Sequence, residues 1–200
     1  MNSTRKLSML VGALSVATLL LAVNAAPFWS SKKSPEEKAA ESRKKAVEIY
    51  NSGVQHMDKA RAILSAGDST FAYNYRATSN AKARGEYQRA AGDFAKAVKL
   101  DSTFFEAYNN LGYCYRKLGD FPAALGAYDK AISLNGDFAQ AREYRGQTYL
   151  AMGKLDLARN ELEFLEDLES PYADSLSRSI QLYRLNQLQN SEADSGQSRK

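Results

Sequence analysis

Histidine and cysteine occur once each in the 200 residues, as His56 and Cys114. Chemistry built on those groups needs company. A metal centre takes several His, Cys or carboxylate ligands, and a nucleophile needs a base that a third group orients. No such set can be assembled here, so no catalytic residue, metal or cofactor is expected and the chain reads as a non-enzyme. Cys114 has no intramolecular disulfide partner and is expected in the interior. His56 is expected to be a packing residue at a helix contact rather than an acid or base. Glu161, Glu163, Glu166, Asp167 and Glu169 are dense enough to suggest a cation site. They alternate with Leu162, Leu165 and Leu168, however, which is the pattern of a solvated face opposite a buried one.

The glycines form no phosphate-cradling loop; a period accounts for them instead. Gly85, Gly119 and Gly153 stand thirty-four residues apart, each followed by a polar and then an apolar residue. Five residues past each comes Ala90, Ala124 or Ala158. Nine past comes a bulky apolar residue (Phe94, Tyr128, Leu162), and twelve past come Ala97, Ala131 and Leu165. Such self-similarity marks an array of stacked helix hairpins, because one hairpin cannot bury its own apolar stripe and needs neighbours to cover it. The small residues let two helices approach, the aromatic ones fill the wedge between hairpins, and the turn glycine ends the first helix cheaply. The expected fold is an all-α helical-hairpin solenoid.

With Tyr108, Leu111, Gly112 and Tyr115 on a first helix, the Gly119 turn, and Ala124, Tyr128 and Ala131 on a second, the chain resembles the tetratricopeptide repeat family. That resemblance sets repeats at 105–138 and 139–171. The second of these keeps Gly146, Tyr149, Ala158, Leu162 and Leu165 but carries Arg142 and Arg145 where large apolar residues are usual. Pro171 is a natural stop for it. The first repeat is expected over 39–104 in interrupted form. Ile49, Ser52, Gly53 and His56 supply its first-helix signature, and the segment from about Asp58 to Arg84 lengthens both helices or loops between them. Continuing the period back to Phe71 is the weaker alternative, since it puts Asn74, Ala77, Thr78 and Ala81 at the signature positions. Leu176, Ile180 and Tyr183 begin a fourth unit, so 172–189 is expected as a capping helix and 190–200 as a disordered tail.

In this family the first helices line a groove that holds an extended peptide or a partner helix. The resemblance places Glu106, Asn109, Asn110, Tyr113 and Arg116 of one repeat, and Glu143 and Gln147 of the next, as the partner-binding residues. Gln140 and Leu150 share the same face. Amides suit a peptide backbone's donors and acceptors, while Tyr and Arg offer area with directed polarity. Family members that grip the acidic tails of heat-shock chaperones carry a clamp of Lys, Asn and Arg. Here only Asn110 matches it; Tyr50, Val54, Gln140 and Tyr144 stand at the other positions, so that specialisation is not expected. Phe71, Tyr73 and Tyr75, followed by Arg76, Lys82 and Arg84, would pack on the first hairpin or form a docking finger.

Arg5-Lys6, the apolar run Leu7–Val23 and Val23-Asn24-Ala25 have the basic, apolar and small-residue order of a secretory signal. Residues 1–25 are therefore expected to be a signal peptide cut after Ala25, or an uncleaved anchor, with 26–38 a spacer. Helix is expected from about Ser34-Pro35-Glu36-Glu37, a capping serine, a first-turn proline and acids at the positive helix end. Either outcome puts the repeats outside the cytoplasm, periplasmic, secreted or membrane-tethered. The formal charge of +4 falls by two once Arg5 and Lys6 are removed. That near-neutrality gives no support to a nucleic-acid partner. The expected function is a non-catalytic adaptor or scaffold that binds another protein. A cell-wall glycan accessory and a self-associating architectural module are the alternatives.

Overall fold

The computed structural model describes residues 32–66 and 73–197, with side chains from 32 to 65 and from 80 to 190. The expected signal or anchor at 1–25, residues 67–72 and the aromatic side chains of 71–75 lie outside those described. Seven helices account for the described residues. They are α1 (Pro35–Ala66), α2 (Tyr73–Leu100), α3 (Phe105–Leu118), α4 (Phe121–Leu134), α5 (Ala139–Ala151), α6 (Leu155–Asp167) and α7 (Tyr172–Gln197). No strand occurs among the described residues, and the fold is all-α.

The chain divides into two compact units, one ending at Glu41 and one beginning at Ser42. In the first, a reciprocal cap starts α1: Glu37 N–H donates to Ser34 Oγ at 3.1 Å, and Ser34 N–H donates to the Glu37 carboxylate at 2.7 Å. Two otherwise orphaned backbone donors are thereby satisfied.

In the second unit, consecutive helices pair as hairpins. Gly119 ends α3 at φ 86°, and the Asp120 N–H reaches back to Tyr115 O at 2.9 Å. Asp120 then caps α4, accepting from Ala123 N–H at 3.1 Å, and Pro122 sits in the first turn. Gly153 repeats this turn at φ 75°, with Lys154 N–H on Tyr149 O at 2.8 Å. Lys154 supplies no side-chain cap to α6, whereas Asp120 does to α4. Gly85, the first glycine of the periodic triad, is not at a turn. It lies inside α2, because that helix begins at Tyr73 and runs through the place where the later repeats turn. Both helices of the first hairpin are long, and no loop occupies the described part of 58–84.

Small residues set the helix spacing. Ala90, Ala124 and Ala158 are all fully buried, as are Phe94, Tyr128 and Leu165. A Cβ at Gly53 would lie 2.8 Å from the Phe94 ring, and one at Gly112 would lie 2.7 Å from the Tyr128 ring. Each first helix thus receives the large side chain of its own second helix. Gly146 is filled differently: Leu176 of α7 comes to 2.7 Å of its would-be Cβ. Leu162, shorter than the aromatic side chains at its counterpart positions, leaves that space to the following helix. Burial of a ring such as Phe94 contributes about 2–3 kcal/mol by removing apolar area from water.

Leu176 and Ile180 bury α7 against α5 and α6, as a cap must. Helix continues through 190–197, where a disordered tail was expected. The apolar phase of α7 ends before its helical backbone does.

Candidate partner-binding surface

First helices α1, α3, α5 and α7 follow one another along one face of the array, and most of the expected contact residues lie along it. Their exposure differs from a simple open row. Asn109, Tyr113, Glu143 and Leu150 are buried, while Glu106, Asn110, Arg116, Gln140 and Gln147 are half-buried. Neighbouring first helices consume much of this polarity. Asn110 Nδ2 donates to Tyr50 Oη at 3.0 Å, Asn109 Nδ2 lies 3.4 Å from Gln140 Oε1, and Gln147 Nε2 donates to Glu143 Oε1 at 3.0 Å. The Ser175 hydroxyl of α7 donates to the same Glu143 oxygen. Sequence spacing gives the face of a helix but not how closely the next helix covers it. The Tyr50–Asn110 bond also shows where the chaperone-tail clamp departs: a phenol of the same chain occupies the one amide that matched.

At the turn end of α3, cations gather on one ring. The guanidinium carbons of Arg61 and Arg116 lie 5.1 and 5.3 Å from the Tyr113 ring centroid, and Lys117 Nζ lies at 5.4 Å. Arg116 also lies 5.6 Å from the Tyr144 ring, and Tyr87 meets Tyr113 edge-on at 6.1 Å. Arg61 and Lys117 were not among the sequence-selected contact residues. Arg61 belongs to the extension of α1, which the repeat pattern does not index.

Two clefts open near this face. One, of ≈ 380 Å³, lies between α5 and α7 and is lined by Gln147, Leu150, Ala151, Ser179, Leu182, Tyr183 and Asn186. The other, of ≈ 370 Å³, is lined by Leu64, Asn80, Ala81, Ala83, Arg84, Tyr87 and Lys117.

The remaining chemical groups are paired or buried within the fold. His56 Nδ1 lies 2.6 Å from Glu86 Oε2 across the α1–α2 contact. That hydrogen bond holds the Glu86 carboxyl below its usual value, against a smaller opposing effect of burial. Cys114 is fully buried, and burial pushes its thiol up to about 12. An inert thiol results. The acidic run on α6 is not wholly solvated. Glu161 is buried, bound by Arg145 through Nη2 at 2.6 Å and approached by Arg142 at 3.6 Å, and Arg145 also pairs with Asp129 at 2.6 Å. Arg142 stacks on the Phe164 ring at 3.3 Å. The two arginines at normally apolar positions thus bring their own counterion from the facing helix. No group of three metal-ligating side chains occurs among the described residues, and none of their helices is long and apolar enough to cross a membrane.

Helix hairpins in succession, with one face made of first helices, define an all-α helical-repeat protein. Residues 105–138, the α3–α4 hairpin with its following turn, match the model of the tetratricopeptide repeat family. Among solved structures, the chain is similar to the second TPR domain of human RPAP3 in complex with an HSP70 peptide. That likeness has 25% identity, 48% of this chain and 82% of that chain covered, and a TM-score of 0.45. It is similar also to the Yersinia enterocolitica type III secretion chaperone SycD in complex with a peptide of the translocator YopD, at 17% identity, 65% and 95% coverage and TM-score 0.46. A third similarity is to the C-terminal TPR-containing domain of a Plasmodium falciparum FK506-binding protein, at 19% identity, 81% and 97% coverage and TM-score 0.48. Comparison with curated proteins found no match.

Proposed function

We propose that the chain is a non-catalytic adaptor that binds a peptide or helix of another protein on its first-helix face. The observation that carries this reading is the α5–α7 cleft. Amides of Gln147 and Asn186 and the Ser179 hydroxyl can pair with a peptide backbone, while Leu150, Leu182 and Tyr183 can receive an apolar side chain. A pocket of mixed amide and apolar lining suits a peptide better than a glycan, which asks for more hydrogen bonds per area. The adaptor acts outside the cytoplasm, freed from or held by residues 1–25; Arg5-Lys6 and the apolar run Leu7–Val23 support this.

Peptide-display selection on the chain tests the function. Selected linear peptides should share a motif with an apolar anchor. Joint replacement of Gln147, Ser179 and Asn186 by Ala should weaken them at least about tenfold while the helical spectrum stays unchanged. Binding that survives this replacement, or retention on sedimented cell-wall glycan with no peptide selected, would overturn the adaptor reading. Amino-terminal sequencing of the exported chain tests the location: a start at Ala26 supports cleavage, a retained Met1 supports the anchor, and a chain recovered only in cytoplasm refutes export.

A further inference from the structure

We infer that Arg61, Arg116 and Lys117, gathered round the Tyr113 ring, form an anion subsite that takes an acidic stretch of the protein partner, with a large apolar residue of that stretch seated in the adjoining Leu64–Tyr87 cleft. This deepens the adaptor reading and rests on it.

Mutual repulsion opposes holding three cations within 6 Å of one ring, and the ring's negative face offsets it only in part. Elsewhere the chain balances such crowding. Arg142 and Arg145 share the Glu161 carboxylate, and Asp129 pairs with Arg145 as well. Round Tyr113 the only carboxylate in ion-pair reach among the described residues is Asp58, at 3.2 Å from Arg61. Among the described residues none pairs with Arg116 or Lys117, and Arg116 Nε is buried without a hydrogen-bond acceptor. The local potential is accordingly positive. Burial acts to raise the Tyr113 hydroxyl, yet the hydrogen bond from Arg61 and the charge of Lys117 bring it below the usual phenol value.

The cations can be reached. The Arg61 side chain is 46% exposed, and Lys117 is exposed. Lys117 also lines the neighbouring cleft, whose other charged residue is Arg84 and whose walls are Leu64, Ala81, Ala83 and Tyr87. No acid lines it. An apolar hollow rimmed by cations selects an apolar side chain flanked by carboxylates, since a basic ligand is repelled and a purely polar one leaves the hollow unfilled. The near-neutral whole chain, in contrast, offers no extended field for a polyanion.

Fluorescence anisotropy with a labelled peptide of four glutamates around one leucine, full-length protein and about 50 mM salt provides the test. Binding should be measurable, should fall at least about tenfold in Arg61→Gln/Lys117→Gln, and should weaken steeply toward about 300 mM salt. Both replaced side chains are exposed, so the fold should survive; Lys117→Gln alone, with an intermediate loss, guards against a folding artefact in the pair. The inference is overturned if the acidic peptide fails to bind, or if the double variant binds it equally. It is also overturned if an alanine-for-leucine peptide binds as well, or if single-stranded RNA or anionic vesicles bind more tightly. Display-selected peptides that still require Gln147, Ser179 and Asn186 but show no acidic preference would sink this subsite and leave the adaptor standing. Loss of that requirement would sink the adaptor itself.

Discussion

A glycine whose missing side chain is replaced by a neighbour's ring can be told from one that merely fills a helix. At Gly112 an added methyl would stand 2.7 Å from Tyr128, a ring with no exposed surface into which to move. Gly112→Ala should therefore cost about 1–3 kcal/mol in urea unfolding, the usual penalty for overpacking. Gly126 lies in α4 with nothing within 4 Å of its would-be Cβ. Gly126→Ala should stabilise the chain by about 0.5–1 kcal/mol, since alanine loses less backbone freedom in a helix. Spacing alone made Gly112 and Gly146 legible as contact residues and Gly119 and Gly153 as turns. Gly85 shares the period without the turn, because a period states where a turn falls only if the hairpins have equal length.

Helices α4, α5 and α6 are joined by charge as well as by apolar packing. Arg145→Met leaves Glu161 buried without its closest partner, so a loss of about 3 kcal/mol is expected by thermal or urea unfolding. Adding Glu161→Leu should recover most of it, and a double-mutant cycle measures the coupling. Acidity acts at the other hairpin. Because Glu86 titrates lower in the folded chain than its ordinary 4.5, its contribution is fully present above that value and is lost as pH falls through the folded one. Urea midpoints should drop less between pH 5 and pH 3 in Glu86→Gln than in the parent chain. The departures at Arg142 and Arg145 were visible in the sequence, whereas their counterion was missed. Glu161 shares a helical phase with Ala158 and Leu165, both fully buried, and that phase was the available signal. Its acidic neighbours in sequence suggested a solvated face instead.

Across the whole array, the hairpins from Phe105 to Asp167 were legible because turn glycines and small contact residues point to one register. The first hairpin was legible in kind rather than in length, since α1 and α2 outrun the repeat by turns that no period marks. The extension carries Arg61, which is why the cation cluster round Tyr113 could not be read from repeat positions. Stability in such an array is a sum over neighbouring units, and each can open by itself. The sole thiol sits in the middle of it, at Cys114, wholly shielded. A chain so made contains its own clock. Modification by a thiol reagent can proceed only while the central hairpin is parted, so the labelling rate reports how often that happens without any introduced probe. A destabilisation of about 1.4 kcal/mol at Gly112 should speed it about tenfold.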